Sequence, residues 1–320
     1  MSMIATAPGK LILTGEYAVL DGAPAIVVAV DRRAVARLSA TPRGSSPFLL
    51  AVADEIAARH GASDPAARAA LEISVDSSAF YDRMTKLGLG SSAAVTVAAT
   101  ALALGTTERA EILEIALAAH ARAQGTRGAR GSGADIAASV HGGTIVFTLP
   151  GSSGPCHVER RRWPASVTLL PFFTGAPADT AQLVARVQAA REAHRTTVDA
   201  ALTAIADASR AACAALTAPP ELAAIGLIGA LALAANATDR LAIATGIDLV
   251  PECVTRARGL LARLGGTAKT TGAGGGDVGI AVVPATVDGT VAVRLLIEAG
   301  CQPLRIARDE TGVDVRADAS

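Results

Sequence analysis

The chain has 320 residues, 51% of them hydrophobic and 18% charged, with 29 basic side chains against 29 acidic ones. That length suits about two domains with their own cores, which excludes a small scaffold stapled by disulfides or metal. The balanced charge gives no global pull toward nucleic acid or an anionic membrane, so neither is an expected partner and any anion site must come from local geometry.

In chain order, residues 25–30, 34–40 and 71–76 are short β-branched or alternating runs between turn residues and predict strands. Behind a Gly/Ser cluster at 88–92, residues 93–104 and 107–124 are rich in Ala and Leu and predict helices. A second Gly-rich stretch, 125–133, leads into residues 134–140, and 144–149 predicts another strand. Residues 150–164, with glycines, prolines and a basic run, mark the expected domain boundary. Beyond it the pattern predicts a strand at 167–173, a long helix or a pair of helices over 180–215, and further helices at 220–245 and 251–264. Strands are expected again at 278–283, 291–297 and 304–307.

Cys156, Cys213, Cys253 and Cys301 are scattered without a C-x-x-C pair, which favours reduced thiols in a reducing compartment. The five histidines, His60, His120, His141, His157 and His194, show no zinc-site spacing. Residues 1–6 lack the charged and apolar pattern of an export signal. Polar residues interrupt each Ala-rich stretch before the roughly 20 residues needed to span a bilayer, so no membrane segment is expected.

The run Lys86-Leu87-Gly88-Leu89-Gly90-Ser91-Ser92-Ala93-Ala94 leads into a good helix former. Gly88 and Gly90 permit positive φ and close backbone approach, while the helix behind them turns free N–H groups and its positive dipole end toward the loop. Such a loop cradles an anion. The Ser91 and Ser92 hydroxyls can add contacts to phosphate or a divalent ion, or serve as ordinary helix caps. A dinucleotide fingerprint fails on context, because residues 81–86 are polar and no strand-end acid follows at about 20 residues. Gly9-Lys10 runs into Leu11, so there is no Walker A loop, and no Gly-x-Ser-x-Gly elbow occurs.

Three further stretches bear on chemistry. In Lys269-Thr270-Thr271-Gly272-Ala273-Gly274-Gly275-Gly276-Asp277, four glycines in five positions are costly in conformational entropy. Either something approaches that backbone or the segment is a bulged turn. Gly131-Ser132-Gly133 precedes Asp135, with Arg127 and Arg130 just upstream. An acid beside two arginines suits a base or positioning group next to an anionic substrate, or simply a solvated loop. Lys10, in Ala7-Pro8-Gly9-Lys10, follows a turn and precedes the apolar Leu11-Ile12-Leu13.

Taken in order, Pro8-Gly9-Lys10 with Gly15-Glu16-Tyr17-Ala18-Val19-Leu20, then residues 88–94, then residues 272–277, resemble the three ordered motifs of the GHMP small-molecule kinase superfamily. Within it, residues 75–81 followed by 86–96, together with Gly274-Gly275-Gly276-Asp277-Val278-Gly279-Ile280-Ala281, are most similar to members that phosphorylate 5-phosphomevalonate. The resemblance implies an α+β, two-domain fold. An ATP-binding domain like S5 domain 2 would cover residues 1–160 and a ferredoxin-like domain residues 161–320, with ATP and acceptor meeting between them.

It also implies site residues. Lys86, Gly88, Leu89, Gly90, Ser91, Ser92 and Ala93 would bind ATP with Gly272, Ala273, Gly274 and Gly275, and Ser92 would lie near Mg²⁺. Lys10 and Asp135 would be catalytic, and would face the acceptor with Ser132, Arg127, Arg130, Gly274 and Asp277. The implied cofactors are ATP and Mg²⁺, the partner a small-molecule substrate, and the enzyme a cytoplasmic monomer or homodimer. Two positions depart from the pattern. Thr270-Thr271 stand where the family often has Pro-Ser, and His120 falls where relatives acting on mevalonate place a metal-binding Glu. The alternative acceptor is the 5-hydroxyl of mevalonate. An alcohol must lose its proton as it attacks, which calls for a base such as Asp135. A phosphate monoester, with its second pKa near ~6, is already mostly dianionic and needs only orientation and fixed cations, which Lys86, Arg127 and Arg130 could supply.

Overall fold

The computed structural model describes residues 3–39, 46–82, 84–125, 131–149 and 155–318. The chain runs β1 (Met3–Thr14), β2 (Ala25–Leu38), α1 (Pro47–His60), α2 (Pro65–Leu71), β3 (Ile73–Asp76), β4 (Tyr81–Asp82), β5 (Thr85–Lys86), α3 (Ser91–Leu104), α4 (Arg109–Gly125), α5 (Ala134–His141), β6 (Thr144–Thr148) and β7 (His157–Arg161). It continues through β8 (Val167–Phe173), α6 (Thr180–Ala193), α7 (Arg195–Ala215), α8 (Pro220–Thr245), α9 (Glu252–Ala262), β9 (Thr267–Thr270), β10 (Val278–Pro284), α10 (Gly289–Glu298), β11 (Gln302–Pro303) and β12 (Asp314–Ala317).

Two antiparallel sheets organise these elements. The first has the order β12-β1-β2-β6-β7, with β3 also paired to β2, and α3 and α5 pack on β1 and β2. Residues 25–30 of β2 are all buried, as expected of strand residues covered on both faces. The second sheet, β11-β8-β10-β9, buries Phe172, Ala281 and Val283 against Val254, Ala257 and Leu261 of α9 and Ala292 and Leu296 of α10. Each such Leu or Val, fully removed from water, contributes about 1.5–3 kcal/mol. The fold is α+β, as the sequence implies.

Several elements differ from the sequence reading. The two strands expected at 25–30 and 34–40 are one strand, β2, and the helical stretch at 180–215 is a pair meeting at His194. Residues 291–297, expected as a strand, form the body of α10. Asp288 caps that helix by accepting from Thr290 N at 2.8 Å, and Ala292 and Leu296, four apart, face the core. The cap and the i,i+4 spacing outweigh the Val-Ala-Val alternation. The strand expected at 304–307 is absent; there Leu304 N donates to Pro171 O and Asp31 N to Ala307 O, so the segment links one sheet to the other. Helices α1 and α2 escape the sequence reading although each starts with proline, and Asp64 accepts from Ala66 N at 2.8 Å.

The last strand, β12, returns to the first sheet, pairing Met3 with Ala317 and Thr6 with Asp314. The C-terminal end of the chain therefore sits with the N-terminal half. Helix α8 is long and apolar enough, by length and composition, to cross a membrane, and half of its most apolar window is buried in this fold.

Candidate active site

The site begins at a fault in the first sheet. The register of β1 on β2 shifts between Pro8 and Gly9, a bulge that re-aims the residues after it. A Cβ at Gly9 would lie 2.6 Å from Leu89 O and 2.7 Å from Phe80 Cε1, so only glycine lets the second loop rest directly on the strand. Lys10 N then donates to Leu89 O at 2.9 Å. The Lys10 side chain runs across Gly90, where a Cβ would meet its Cε at 2.9 Å.

Gly88 and Gly90 have φ of 70° and 78°, and Gly90 is the left-handed N-cap of α3. The loop thus presents Ser91 and Ser92 and the helix's free N–H groups together, the arrangement that favours anions. Behind it His120, buried and stacked on Phe48 with ring centroids 5.2 Å apart, places Nε2 3.2 Å from Ser92 Oγ.

Helix α5 supplies the acid. Gly133, with φ of 83°, caps it; Asp135 stands in its first turn and accepts from Ile136 N at 3.0 Å. One turn later Ser139 Oγ donates to Pro8 O at 2.7 Å, which fixes α5 on β1 and sets Asp135 beside Lys10. Ser132 Oγ accepts from Ala134 N at 3.3 Å.

The third loop arrives from the second sheet. Thr174 and Asp277 extend the β8–β10 ladder: Thr174 N donates to Asp277 O at 2.9 Å and Thr174 Oγ1 to the same oxygen at 3.0 Å. Asp277 has φ of 52°, a strained value for a side-chain-bearing residue, held here by Asp277 N to Ala176 O at 2.7 Å and Ala178 N to Asp277 Oδ1 at 3.1 Å. Its other oxygen lies against the second loop, 2.5 Å from where a Gly88 Cβ would be. A Cβ at Gly274 would strike Leu249 O at 2.5 Å, and Gly275 N donates to Leu249 O at 2.8 Å.

Lys10, Lys86, Asp135 and Asp277 form one electrostatic group. Burial holds the Lys10 ammonium below the ordinary lysine range; Asp135 and Asp277 oppose that shift and Lys86 adds to it. Burial likewise pushes the Asp277 carboxyl up, against the Ala178 N–H and the two lysines. Such opposed shifts concentrate at functional sites. The hollow lined by Trp163, Val167 and Arg308 lies away from this group, whereas another, lined by Tyr81, Asp82, Leu87 and Arg305, adjoins the second loop.

The structure therefore brings Lys10, Lys86, Gly88, Leu89, Gly90, Ser91, Ser92, Asp135 and Asp277 together, with Ser132 beside Asp135 and residues 272–276 running into Asp277. Arg127 and Arg130 lie outside the described residues. Sequence reasoning did not single out Glu16, Tyr17, Lys269 or Thr174 as site residues. Tyr17 Oη donates to Ala273 O at 2.6 Å, and Lys269 Nζ donates to Glu16 Oε1. Burial pushes the Glu16 carboxyl up, Lys269 opposing it, and pushes the Tyr17 phenol up as well. The only available signal was position, since Glu16 and Tyr17 lie within the first motif and Lys269 just ahead of the glycines of the third.

Comparison with known proteins gives concordant findings. Residues 48–143 match the GHMP kinases N terminal domain. A phosphomevalonate kinase of Streptomyces sp. (strain CL190) is 30% identical, over 89% of this chain and 90% of that one. A mevalonate kinase of Archaeoglobus fulgidus is 31% identical, over 86% and 90% respectively. The structure of Streptococcus pneumoniae phosphomevalonate kinase in complex with phosphomevalonate and AMPPNP superposes with a TM-score of 0.78 at 17% identity, covering 96% of this chain and 100% of that one.

Proposed function

The chain belongs to the GHMP kinase family as an ATP-dependent kinase of the mevalonate pathway, and we propose that it transfers the γ-phosphoryl group of ATP to the phosphate of 5-phosphomevalonate. The observation that supports this acceptor over a hydroxyl is a second cation at the mouth of the second loop: Lys86, two residues before Gly88, whose charge acts on both Lys10 and Asp277. Phosphoryl transfer between two phosphates brings a second anion to the ATP chain, and a second cation lowers that cost where one would suffice for an alcohol.

In this reading Gly88–Ser92 hold the ATP phosphates on backbone N–H groups and the α3 dipole. Lys10 sits at the junction of donor and acceptor and neutralises charge that spreads onto the transferred group. Asp135 orients the acceptor, which is already mostly dianionic at neutral pH with its second pKa near ~6, so no proton abstraction is required. Ser92 Oγ fits magnesium: it is an oxygen donor at the edge of an anion-binding loop. No cluster of three His, Cys, Asp or Glu occurs among the described residues, which suits an ion that takes its other ligands from phosphate and water. When bound there, the ion would offset the charge of the terminal phosphates.

The test is coupled ADP release with each acceptor at saturating ATP and Mg²⁺. Turnover of 5-phosphomevalonate is the expected result. Turnover of mevalonate, with none of its phosphate, would move the assignment to a hydroxyl acceptor and give Asp135 the role of base.

A further inference from the structure

The tripeptide Gly15-Glu16-Tyr17 within the first motif grips the third loop at two points. At the base of the loop, Lys269 Nζ donates to Glu16 Oε1 and, at 2.6 Å, to Thr270 O, the last carbonyl of β9 before the glycines begin. Higher up, Tyr17 Oη holds Ala273 O. The Glu16 and Lys269 side chains are only 4% and 1% exposed, and 253 residues of chain separate them. The tripeptide itself is stiffly placed. Gly15 has φ of 87° and no room for a Cβ, which would lie 2.5 Å from Pro24 O, and Tyr17 is, with Asp277, one of two side-chain-bearing residues with positive φ among those described.

Stability alone is a weak reason for a buried pair, since buried charges forfeit their hydration and apolar side chains of similar volume often replace them at no cost. The pair is moreover incompletely satisfied, because Glu16 Oε2 is buried without a hydrogen-bond partner. What an ion pair supplies and an apolar contact does not is direction. The third loop needs it: four of its five residues from 272 to 276 are glycine, with wide backbone freedom. It has no helix of its own to fix its amides, and its base at Thr271 is closed by Thr271 N and Oγ1 on Val278 O and by a long bond from Gly274 N to Thr271 O at 3.4 Å.

We infer that Glu16 and Lys269 are positioning residues for phosphoryl transfer, their buried pair setting the register of the third loop against the strand that carries Lys10. The pair acts through the loop amides and Asp277 and touches neither substrate. The inference rests on the kinase activity and not on which acceptor is used.

The test is a double-mutant cycle with Glu16→Gln, Lys269→Met and the combined variant, each followed by steady-state kinetics and thermal unfolding. The combined variant leaves no unpaired buried charge. It is expected to unfold near the wild-type temperature while kcat falls at least about tenfold, a loss of ~1.4 kcal/mol in transition-state stabilisation, with KM for ATP little changed. Each single variant is expected to lose as much kcat as the pair. A folded combined variant with wild-type kcat, or single losses that multiply in the double, overturns the inference. Should the combined variant not fold, or should neither acceptor turn over, amide hydrogen exchange of Glu16→Gln decides. Faster exchange across residues 271–277 with unchanged exchange in α3 supports the inference, and an unchanged loop overturns it.

Discussion

The second and third glycine loops, proposed to share one anion, are ordered by different physics. Gly88–Ser92 is organised locally. Two left-handed glycines turn the chain into α3, Ala94 N closes the first helical turn on Gly90 O, and Gly9 beneath lets the loop sit on β1. Residues 272–277 have no helix behind them and borrow order from afar, from Leu249, Thr174, Ala176, Tyr17 and the Glu16–Lys269 pair. A loop fixed by its own helix is rigid wherever that helix forms. A loop fixed by tethers is only as well placed as the packing of the two sheets allows.

Substitution at the point where the two loops touch is expected to have the largest effect. Gly88→Ala strains a φ of 70° and drives a methyl group into Asp277 Cβ, Cγ and Oδ2. It should lower kcat/KM by about a hundredfold, or ~2.7 kcal/mol, and an activity close to wild type would mean that the contact between the loops is dispensable.

Next comes the cation both loops share. Lys10→Ala should reduce kcat more than tenfold, at least ~1.4 kcal/mol. In the wild type, burial disfavours the Lys10 ammonium, so the rate should fall on the alkaline side below the pH at which an ordinary lysine titrates, ~10.4. A pH–rate profile flat to that point would separate Lys10 from the chemistry.

The smallest effect sharpens the contrast inside the third loop. Gly272 has φ of 61° but no atom within 4 Å of where a Cβ would stand. Gly272→Ala should therefore cost only the left-handed backbone penalty, about 1 kcal/mol of stability, with kcat little changed. A large loss of activity with an unchanged melting temperature would mean that a bound group occupies that open space.

Legibility followed the same division. The second loop could be read from residues 86–94 because its turn is local, positive-φ glycines running into a helix former, although its seat on Gly9 and Lys10 of β1 is not. Asp135 and Ser139 were readable only in part. Their one-turn spacing is in the chain, whereas the bond from Ser139 to Pro8 O that turns Asp135 toward Lys10 is not. The misplaced strand at 291–297 came from weighing β-branched alternation above the Asp288 cap. The return of β12 beside β1 has no local signature at all.

The sequence by itself determined the glycine turn at 88–90 and the helix behind it, because these depend on backbone preferences spanning a few residues; Lys10, read as following a turn, lies within β1, and Gly90 rather than a serine caps α3. Only the tertiary structure decided that Asp277 lies against Gly88, that Lys86 joins Lys10, and that Glu16 meets Lys269 across 253 residues. Those contacts depend on how two sheets pack, and a charge buried by packing leaves no periodic trace in the chain that carries it.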